Sequence, residues 1–217
     1  LTKQREVDQL KAMIQESELQ FLKSQINPHF LFNNLNNLYS YAIENSPKTS
    51  EIILELSSVL RYMLYDCREK YVSLEKEIEQ LRNFTRLSEM QIEERGEVEF
   101  TTYNIEPGYQ IAPLILLVFI ENAFKHSQSA QSSNIFIDIA IRLQDNGHLE
   151  FCCKNNYQAG TFTHENPGGI GLDNVRKRLR LLYPGTHKLQ IQQKEDSYEV
   201  QLRMQIQHNH SYELHHH

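Results

Sequence analysis

The sequence predicts an α+β protein in two parts: a long antiparallel helical hairpin that forms a dimeric four-helix bundle and, after it, an α/β sandwich. Apolar residues in the first half recur at helical spacing, and the second half alternates apolar and polar residues as strands do. The pattern of apolar residues changes from helical spacing to alternation near Gly96. We therefore place a helical domain at residues 1–96, a mixed domain at 97–207 and a tail at 208–217.

Composition and charge narrow the class of protein. The chain has 217 residues, of which 40% are hydrophobic, and a formal net charge of -6 at pH 7. An acidic chain without a clustered basic surface is not expected to bind nucleic acid directly. The longest apolar run, residues 111–120, contains Pro113 and is shorter than the ~20 residues that span a bilayer. Three cysteines without metal or redox spacing favour a reducing compartment.

The first predicted helix carries a heptad pattern, with mostly apolar residues at positions a and d. The pattern starts at Val7 and Leu10 and continues through Pro28, Leu35 and Ala42. A heptad seam of this kind indicates packing against other helices along most of its length.

A second helix is predicted after "ENSPKTS", where Pro47 is a stop signal. Its apolar stripe runs over residues 52–64, and we expect the helical pattern to continue to about Arg95. Ser73 looks like an N-cap within it. Two long helices bury such stripes best in a four-helix bundle made by two chains.

The second half predicts strands, two helices and two hairpins, one of them at the strong turn signal "DNG". The predicted elements are a strand at 98–104, a buried helix at 112–127, hairpin strands at 134–143 and 148–155, a helix at 168–183 and a last hairpin around Asp196 and Ser197. This order of elements is typical of a mixed sheet with helices on one face.

The segment "KSQINPHFLFNNLN", residues 23–36, places a proline, a histidine and several asparagines inside the first helix. If the heptad continues through Pro28, then His29, Asn33 and Asn36 lie on one exposed face. A neutral imidazole is a competent nucleophile near pH 7. On these residues alone two interpretations stay open: a displayed nucleophile, or a surface histidine beside a helix kink.

Polar residues end the buried helix "APLILLVFIENAFKHS". Glu121, Asn122, Lys125 and His126 follow its apolar part within about one and a half turns. Carboxylate and amide oxygens suit Mg²⁺, and a lysine can bind phosphate as a point charge. The alternative is an ordinary polar end of a helix.

A glycine-rich stretch, "NPGGIGLDNVRKRL", precedes the next helix. Gly168, Gly169 and Gly171 would let backbone N–H groups approach an anion, and a helix N-terminus favours negative charge. A flexible connection between two elements is the alternative, because it would need the same glycines.

Together these stretches resemble the cytoplasmic kinase core of LytS-type sensor histidine kinases. The resemblance rests on "QINPHFLFNNLNNL", "LRYMLYD", "VSLEKEIEQLRNF", "PLILLVFIENAFKHS" and "GGIGLDNVRKRLRLLYP", whose order and spacing match from about residue 15 to 206. It implies an ATP-dependent protein-histidine kinase, a phosphotransferase of two-component signal transduction. For the second part it implies the GHKL-type ATP-binding sandwich that gyrase and Hsp90 share.

The resemblance also implies a role for each candidate residue. His29 matches the phosphoacceptor histidine that takes a phosphoryl group from MgATP, and Asn33, one turn on, would orient its ring. Asn122 matches the asparagine that holds Mg²⁺ against the ATP phosphates, and its acidic neighbour Glu121 is grouped with the catalytic residues. The other implied nucleotide-binding residues are Lys125, His126, Asn155, Gly169, Gly171 and Leu172. No residue is assigned as the general base.

One position departs from the family pattern. The box at the end of the fourth strand usually reads Asp-Asn-Gly, and its aspartate accepts a hydrogen bond from the adenine amino group. Here "CKNNYQ" puts Asn155 at that position and lacks the glycine, and the lid at residues 157–167 is short. An amide oxygen still accepts, but without charge its hydrogen bond is weaker.

This departure leaves an alternative open: a catalytically degenerate dimerisation and signalling module that binds ATP weakly. The intact His29, Asn122 and Gly171 favour an active kinase over that module. A third interpretation, an ATPase or a kinase acting on serine, does not explain the long bundle and its displayed histidine.

The resemblance implies partners and a location as well. The expected partners are a second copy of the chain and a response regulator with a receiver aspartate, often of the DNA-binding LytR type. Because Leu1 is not a methionine, we expect an upstream part to be missing. The resemblance implies that this part is a membrane-spanning sensor, which would place this domain on the cytoplasmic side of a bacterial inner membrane. His215, His216 and His217 are interpreted as the remnant of a purification tag and excluded from metal reasoning.

Overall fold

The computed structural model of the protein describes residues 28–92, 95–129, 134–156 and 169–209. The chain divides into two compact units, Leu1–Arg68 and Glu69–His217. The heptad positions before Pro28, the lid and the histidine tail lie outside the described residues. Within the described ranges, no helix is long and apolar enough to cross a membrane.

Two helices make up most of the described part of the first unit, α1 (Pro28–Ile43) and α2 (Lys48–Leu64). They contact each other and are joined where the sequence predicts a break. Asn45 turns the chain with a φ of 50°, and the N–H of Ser46 donates to the carbonyl of Tyr41. The helical hairpin is therefore confirmed for these residues, whereas the dimeric four-helix bundle stays a prediction.

The two helices differ in how well their spacing predicts their buried faces. The buried stripe of α2 follows the predicted pattern at Ile52, Leu56, Val59 and Met63. On α1 the structure buries Phe30 and Asn34, while Leu35, a seam position, is 43% exposed. Within one chain the heptad seam of α1 is thus not the buried face, and it remains available to another partner.

The second predicted helix is interrupted, so the prediction of one long helix reaching about Arg95 was wrong. A 3₁₀ turn at Asp66–Arg68 follows α2, and a short strand, β1 (Val72–Ser73), then leads into α3 (Leu74–Glu89). A strand in this position cannot continue a helix, because its backbone hydrogen bonds run to a neighbouring strand.

The predicted N-cap at Ser73 is confirmed, since its hydroxyl accepts a hydrogen bond from the N–H of Lys76 at 3.2 Å. β1 pairs with β3 (Tyr109–Ile111), and α3 contacts strands of the second unit. Along the chain, the boundary between the two compact units therefore lies between Arg68 and Glu69 rather than near residue 96, because α3 packs with the sheet.

A five-stranded mixed sheet forms the centre of the second unit. Its strands are β2 (Gly96–Tyr103), β4 (Ile135–Leu143), β5 (His148–Asn156), β6 (His187–Gln193) and β7 (Ser197–Gln205). Their spatial order is β2-β4-β5-β7-β6, with β2 and β4 parallel and the other pairs antiparallel. A second sheet has the order β1-β3-β8, where β8 is Gln207–His208. The predicted α+β class with a mixed sheet is confirmed.

Both predicted hairpins are present. β4 and β5 meet at the "DNG" turn, where Gly147 has a φ of 76° and Leu143 pairs with Leu149. A residue with a side chain would be strained at that φ, which explains the glycine. β6 and β7 form the last hairpin, in which Gln193 pairs with Tyr198.

Two further helices belong to this unit, and one of them packs on the sheet. α4 (Leu117–Ser129) contacts β4 and β5, and α5 (Gly169–Leu182) contacts α4. The inward residues of β4 alternate as a half-buried strand requires: Ile135, Ile137, Ile139, Ile141 and Leu143. The predicted start of α4 at residue 112 was wrong, because Leu114 has a φ of 62°, which a right-handed helix excludes.

Replacing Ser73 by alanine should destabilise the second unit. The Ser73 hydroxyl satisfies an N–H in the first turn of α3, and losing such a cap costs about 1 kcal/mol. Urea unfolding followed by circular dichroism measures the change. Ser73→Asp keeps an acceptor and should retain most of the stability, so equal losses in the two variants would contradict the capping role.

Candidate functional site

α4 has an apolar side inside the unit and a polar side at its surface. Its buried apolar residues are Leu117, Phe119, Ile120, Ala123 and Phe124. Glu121, Asn122 and His126 are partly exposed, and Lys125 is exposed. Because residues three and four apart are neighbours on a helix surface, the structure brings these four predicted residues together. We call them the polar face of α4.

Asn155 lies near the end of β5 with 1% of its surface exposed. Its Nδ2 donates to the carbonyl of Asn156 at 2.8 Å, which orients the side chain. Its Oδ1 is buried and has no hydrogen-bond partner among the residues that the structure describes. An unpaired buried acceptor costs about 1–3 kcal/mol. A donor on a bound molecule would therefore be stabilising at this position.

Tyr198 connects Asn155 to the polar face of α4. It is the direct partner of Asn155 across β5 and β7, so the two side chains are neighbours on one face of the sheet. The centroid of its ring lies 6.3 Å from that of His126. Sequence analysis missed Tyr198, although its alternation with Val200 and Leu202, both buried, was an available signal.

One glycine of the glycine-rich stretch, Gly171, lies beside the start of α4. α5 is described from Gly169, and Leu172 is 2% exposed. A Cβ built on Gly171 would lie 3.4 Å from Cγ1 of Val118, so the two helices approach closely there. Val118 is one turn before Asn122. The glycine end of α5 therefore lies close to the polar face of α4.

His29 and Asn33 lie on α1, in the first compact unit, whereas the other candidates lie in the second. The side chain of His29 is outside the described part of the chain. Asn33 is half-buried and Asn36 is exposed, so the face predicted to be exposed is only partly so.

Asn34 is a buried polar residue of α1 that sequence analysis missed. It is 0% exposed, and its Nδ2 donates to the carbonyl of Phe30 at 2.9 Å. Within the described ranges its Oδ1 has no hydrogen-bond partner. The sequence offered no clear signal for this burial, because the heptad pattern placed Asn34 beside the seam rather than in it.

The described ranges contain no group of three or more His, Cys, Asp or Glu residues that could hold a metal ion by itself. A hard cation at the polar face of α4 would need oxygen ligands from a bound molecule and from water, besides the amide oxygen of Asn122.

Comparison with known proteins adds the family. A family model described as histidine kinase matches residues 17–96, a range that includes His29 and Asn33. The sensor protein LytS of Staphylococcus saprophyticus is 30% identical over 190 residues, which are 83% of this chain and 32% of that protein. The sensor histidine kinase/phosphatase LytS of Staphylococcus aureus is 26% identical over 201 residues, 86% of this chain and 34% of that protein. Residues 17–96 therefore match the histidine kinase family, and most of the chain is similar to LytS sensor proteins.

The chain spans about a third of the length of the curated relatives it matches, which are named as sensors. Among solved structures, the histidine kinase domain of a blue-light activated histidine kinase from Erythrobacter litoralis aligns with a TM-score of 0.49 at 12% identity. That alignment covers 73% of this chain and 87% of the other.

Burial holds the pKa of His126 below its ordinary value of 6.5, and the neighbouring Lys125 ammonium lowers that pKa further. Both effects disfavour the charged imidazolium. The ring is consequently neutral at pH 7 in the folded chain, so it can offer one N–H donor and one nitrogen acceptor to whatever lies on the polar face of α4.

The stability of the second unit should fall as the pH is lowered through the range below 6.5. There the unfolded chain protonates His126 while the folded chain, with its lowered pKa, resists protonation, so acid favours unfolding. Urea unfolding between pH 5 and 8 measures this slope, and His126→Gln should flatten it. His148→Gln, at an exposed position on β5, controls for loss of an imidazole. An unchanged slope in His126→Gln would contradict the lowered pKa.

Proposed function

We propose that this chain is the kinase core of a two-component sensor, which binds MgATP at the polar face of α4 and transfers its γ-phosphoryl group to His29. The phosphoryl group then passes to an aspartate of a response regulator. The observation that carries the proposal is the buried Oδ1 of Asn155 beside that face, which the described residues leave without a hydrogen-bond partner. The match of residues 17–96 to the histidine kinase family supports the reaction type.

The residues present fit an adenine. The 6-amino group of adenine is a donor, and Oδ1 of Asn155 is a buried acceptor whose orientation is held by the Asn156 carbonyl. An amide at this position gives a weaker hydrogen bond than a carboxylate would, so a moderate affinity is expected. A degenerate module that does not bind ATP would have no use for a buried acceptor such as Oδ1 of Asn155, which only a ligand would pair. This acceptor therefore favours the active kinase.

The polar face of α4 offers groups suited to the phosphates. Asn122 supplies an amide oxygen for Mg²⁺, and the exposed Lys125 supplies a cation. His126 supplies a neutral N–H donor. Backbone N–H groups at Gly169 and Gly171 can approach an anion because no side chain intervenes, and the buried Leu172 anchors that end of α5.

ATP supplies the phosphoryl group. A ring nitrogen of His29 forms the new N–P bond while the bond from the γ-phosphorus to the bridging oxygen breaks and ADP leaves. Asn33, one turn further on α1, would orient the ring, and Glu121 would act beside Asn122 as the catalytic carboxylate. Such transfers depend mainly on positioning and charge neutralisation, which is what these residue types provide.

The first unit supports dimerisation with a second copy of the chain. Large apolar side chains are exposed on α1 and on or just after α2: Phe32, Leu35, Tyr39, Ile43, Ile53, Leu54, Leu64 and Tyr65. Those on α1 follow helical steps of three and four, which is the spacing of a packing stripe. A four-helix bundle made by two copies would cover these side chains.

Partners and location follow from the same proposal. A phosphorylated histidine in a sensor needs an acceptor, and a response regulator aspartate, as in LytR-type regulators, is the acceptor we propose. The kinase core would lie on the cytoplasmic side of a bacterial inner membrane, where ATP is available, attached to a sensor part upstream.

Autophosphorylation tests the proposed reaction directly. Incubation with γ-labelled ATP and Mg²⁺ should give an acid-labile, alkali-stable label on the wild-type chain, because N–P bonds are acid-labile. His29→Ala should abolish the label, since it removes the nucleophile.

His148→Ala is the matched control, because it removes an exposed imidazole far from α1 in sequence and should leave the label intact. A label that persists in His29→Ala, or one that survives acid, would contradict phosphorylation of His29.

Nucleotide selectivity tests the role of Asn155. Inosine triphosphate carries an oxygen where ATP carries the 6-amino group, so the wild type should bind ATP about tenfold more tightly, the effect of roughly one good hydrogen bond. Asn155→Leu should remove this preference, and Asn155→Asp should strengthen ATP binding. Calorimetric titration measures each affinity, with Asn146→Leu in the exposed β4–β5 turn as control. Equal wild-type affinity for both nucleotides would contradict the role.

A further inference from the structure

The segment between β3 and α4, residues 112–114, is held by two side chains, one on α3 and one directly after α5. The N–H of Ala112 donates to the hydroxyl oxygen of Tyr183 at 2.8 Å, and the N–H of Leu114 donates to Oε1 of Glu77 at 2.9 Å. Pro113, between them, has no N–H. Every backbone donor of this segment is therefore satisfied by a side chain rather than by a strand or helix.

These contacts are buried. Glu77 is 0% exposed, Tyr183 is 4% exposed, and Ala112 and Leu114 are at 0% and 3%. Water cannot replace either acceptor without entering the core, so loss of an acceptor would leave a buried N–H unpaired. Burial also raises the pKa of Tyr183 to about 12, so its hydroxyl is not ionised at neutral pH.

The contact from Glu77 bears on the backbone conformation of Leu114. Its φ of 62° lies in the left-handed region, which residues with a side chain seldom occupy. Such a conformation persists only when the surrounding structure holds it. The Glu77 carboxylate accepts the hydrogen bond from the backbone N–H of Leu114 itself.

The direction of α4 depends on this segment. α4 begins at Leu117, three residues after Leu114, and Asn122 follows five residues later. A change of φ at Leu114 would redirect the chain entering α4 and displace the polar face that the proposed nucleotide site requires. Tyr183 directly follows α5, so the same segment also ties the glycine-bearing helix to α4.

We propose that Glu77 and Tyr183 are positioning residues for nucleotide binding, acting by holding residues 112–114 and so the start of α4. This inference rests on the proposed function, because it assigns these side chains to the MgATP site of the same unit. Neither residue belongs to the polar face of α4, and neither needs to touch the nucleotide.

Three variants separate the acceptor from the charge. Glu77→Leu and Tyr183→Phe each remove an acceptor with little change of shape. Each leaves a buried backbone N–H unpaired and so displaces the start of α4, which should weaken MgATP affinity about tenfold. Glu77→Gln keeps an acceptor oxygen and should bind MgATP nearly as the wild type does. Calorimetric titration with MgATP measures the affinities, and amide hydrogen exchange reads Ala112 and Leu114 directly.

Two controls separate positioning from general destabilisation. Glu79→Leu makes the same change at an exposed position of α3, two residues away, and should leave affinity unchanged. Leu189→Ala destabilises β6, an edge strand that pairs only with β7 in the five-stranded sheet, and should lower stability without lowering affinity. The inference is overturned if Glu77→Leu binds MgATP normally, if Glu77→Gln is as weak as Glu77→Leu, or if Leu189→Ala loses affinity equally at equal loss of stability.

Failure of the proposed function would look different. A wild-type chain that does not bind MgATP would refute the nucleotide site, and with it the assignment of Glu77 and Tyr183 to that site. Faster exchange of the Leu114 amide in Glu77→Leu would still show that the contact holds the segment. A wild type that binds MgATP, with Glu77→Leu unchanged, would instead refute the positioning role alone.

Discussion

The packing of α4 against β4 and β5 is the constraint on which the rest of the second unit depends. One side of α4 is apolar and must be removed from water, and this requirement fixes the rotation of the helix. Glu121, Asn122, Lys125 and His126 are therefore directed away from the sheet core. The antiparallel register of β5 with β7 then places Asn155 beside Tyr198, whose ring lies near that of His126 on α4.

In the part of the chain that the structure describes, each unit contains a buried asparagine oxygen without a hydrogen-bond partner, in Asn34 and in Asn155. Buried polar groups are nearly always paired, and departures from that rule are expected at functional sites. At Asn155 the departure has a chemical interpretation, since the adenine of ATP would supply the missing donor. For Asn34 the structure of one chain provides no comparable interpretation. The rigid sheet beneath Asn155 keeps its acceptor in place before any ligand binds.

Elements with strong local signals were predicted correctly. The stripe of α2, the cap at Ser73 and the turn at Gly147 each depend on residues close in sequence. The errors fall where distant residues compete with local preference. β1 interrupts the predicted second helix because it pairs with β3. α4 starts late because Leu114, whose N–H donates to Glu77 of α3, has a φ of 62° that is not helical.

The sequence by itself indicated the family, the order of the helices and strands around the five-stranded sheet, and the residues of the polar face of α4, because motif spacing and helical periodicity are local properties. It also identified Asn155 as the unusual position of the candidate site. Only the tertiary structure decided that the oxygen of Asn155 is buried without a hydrogen-bond partner among the described residues, that Tyr198 lies between Asn155 and His126, and that α3 packs with the sheet. These facts depend on strand register and on which faces meet, and such contacts join residues far apart in the chain.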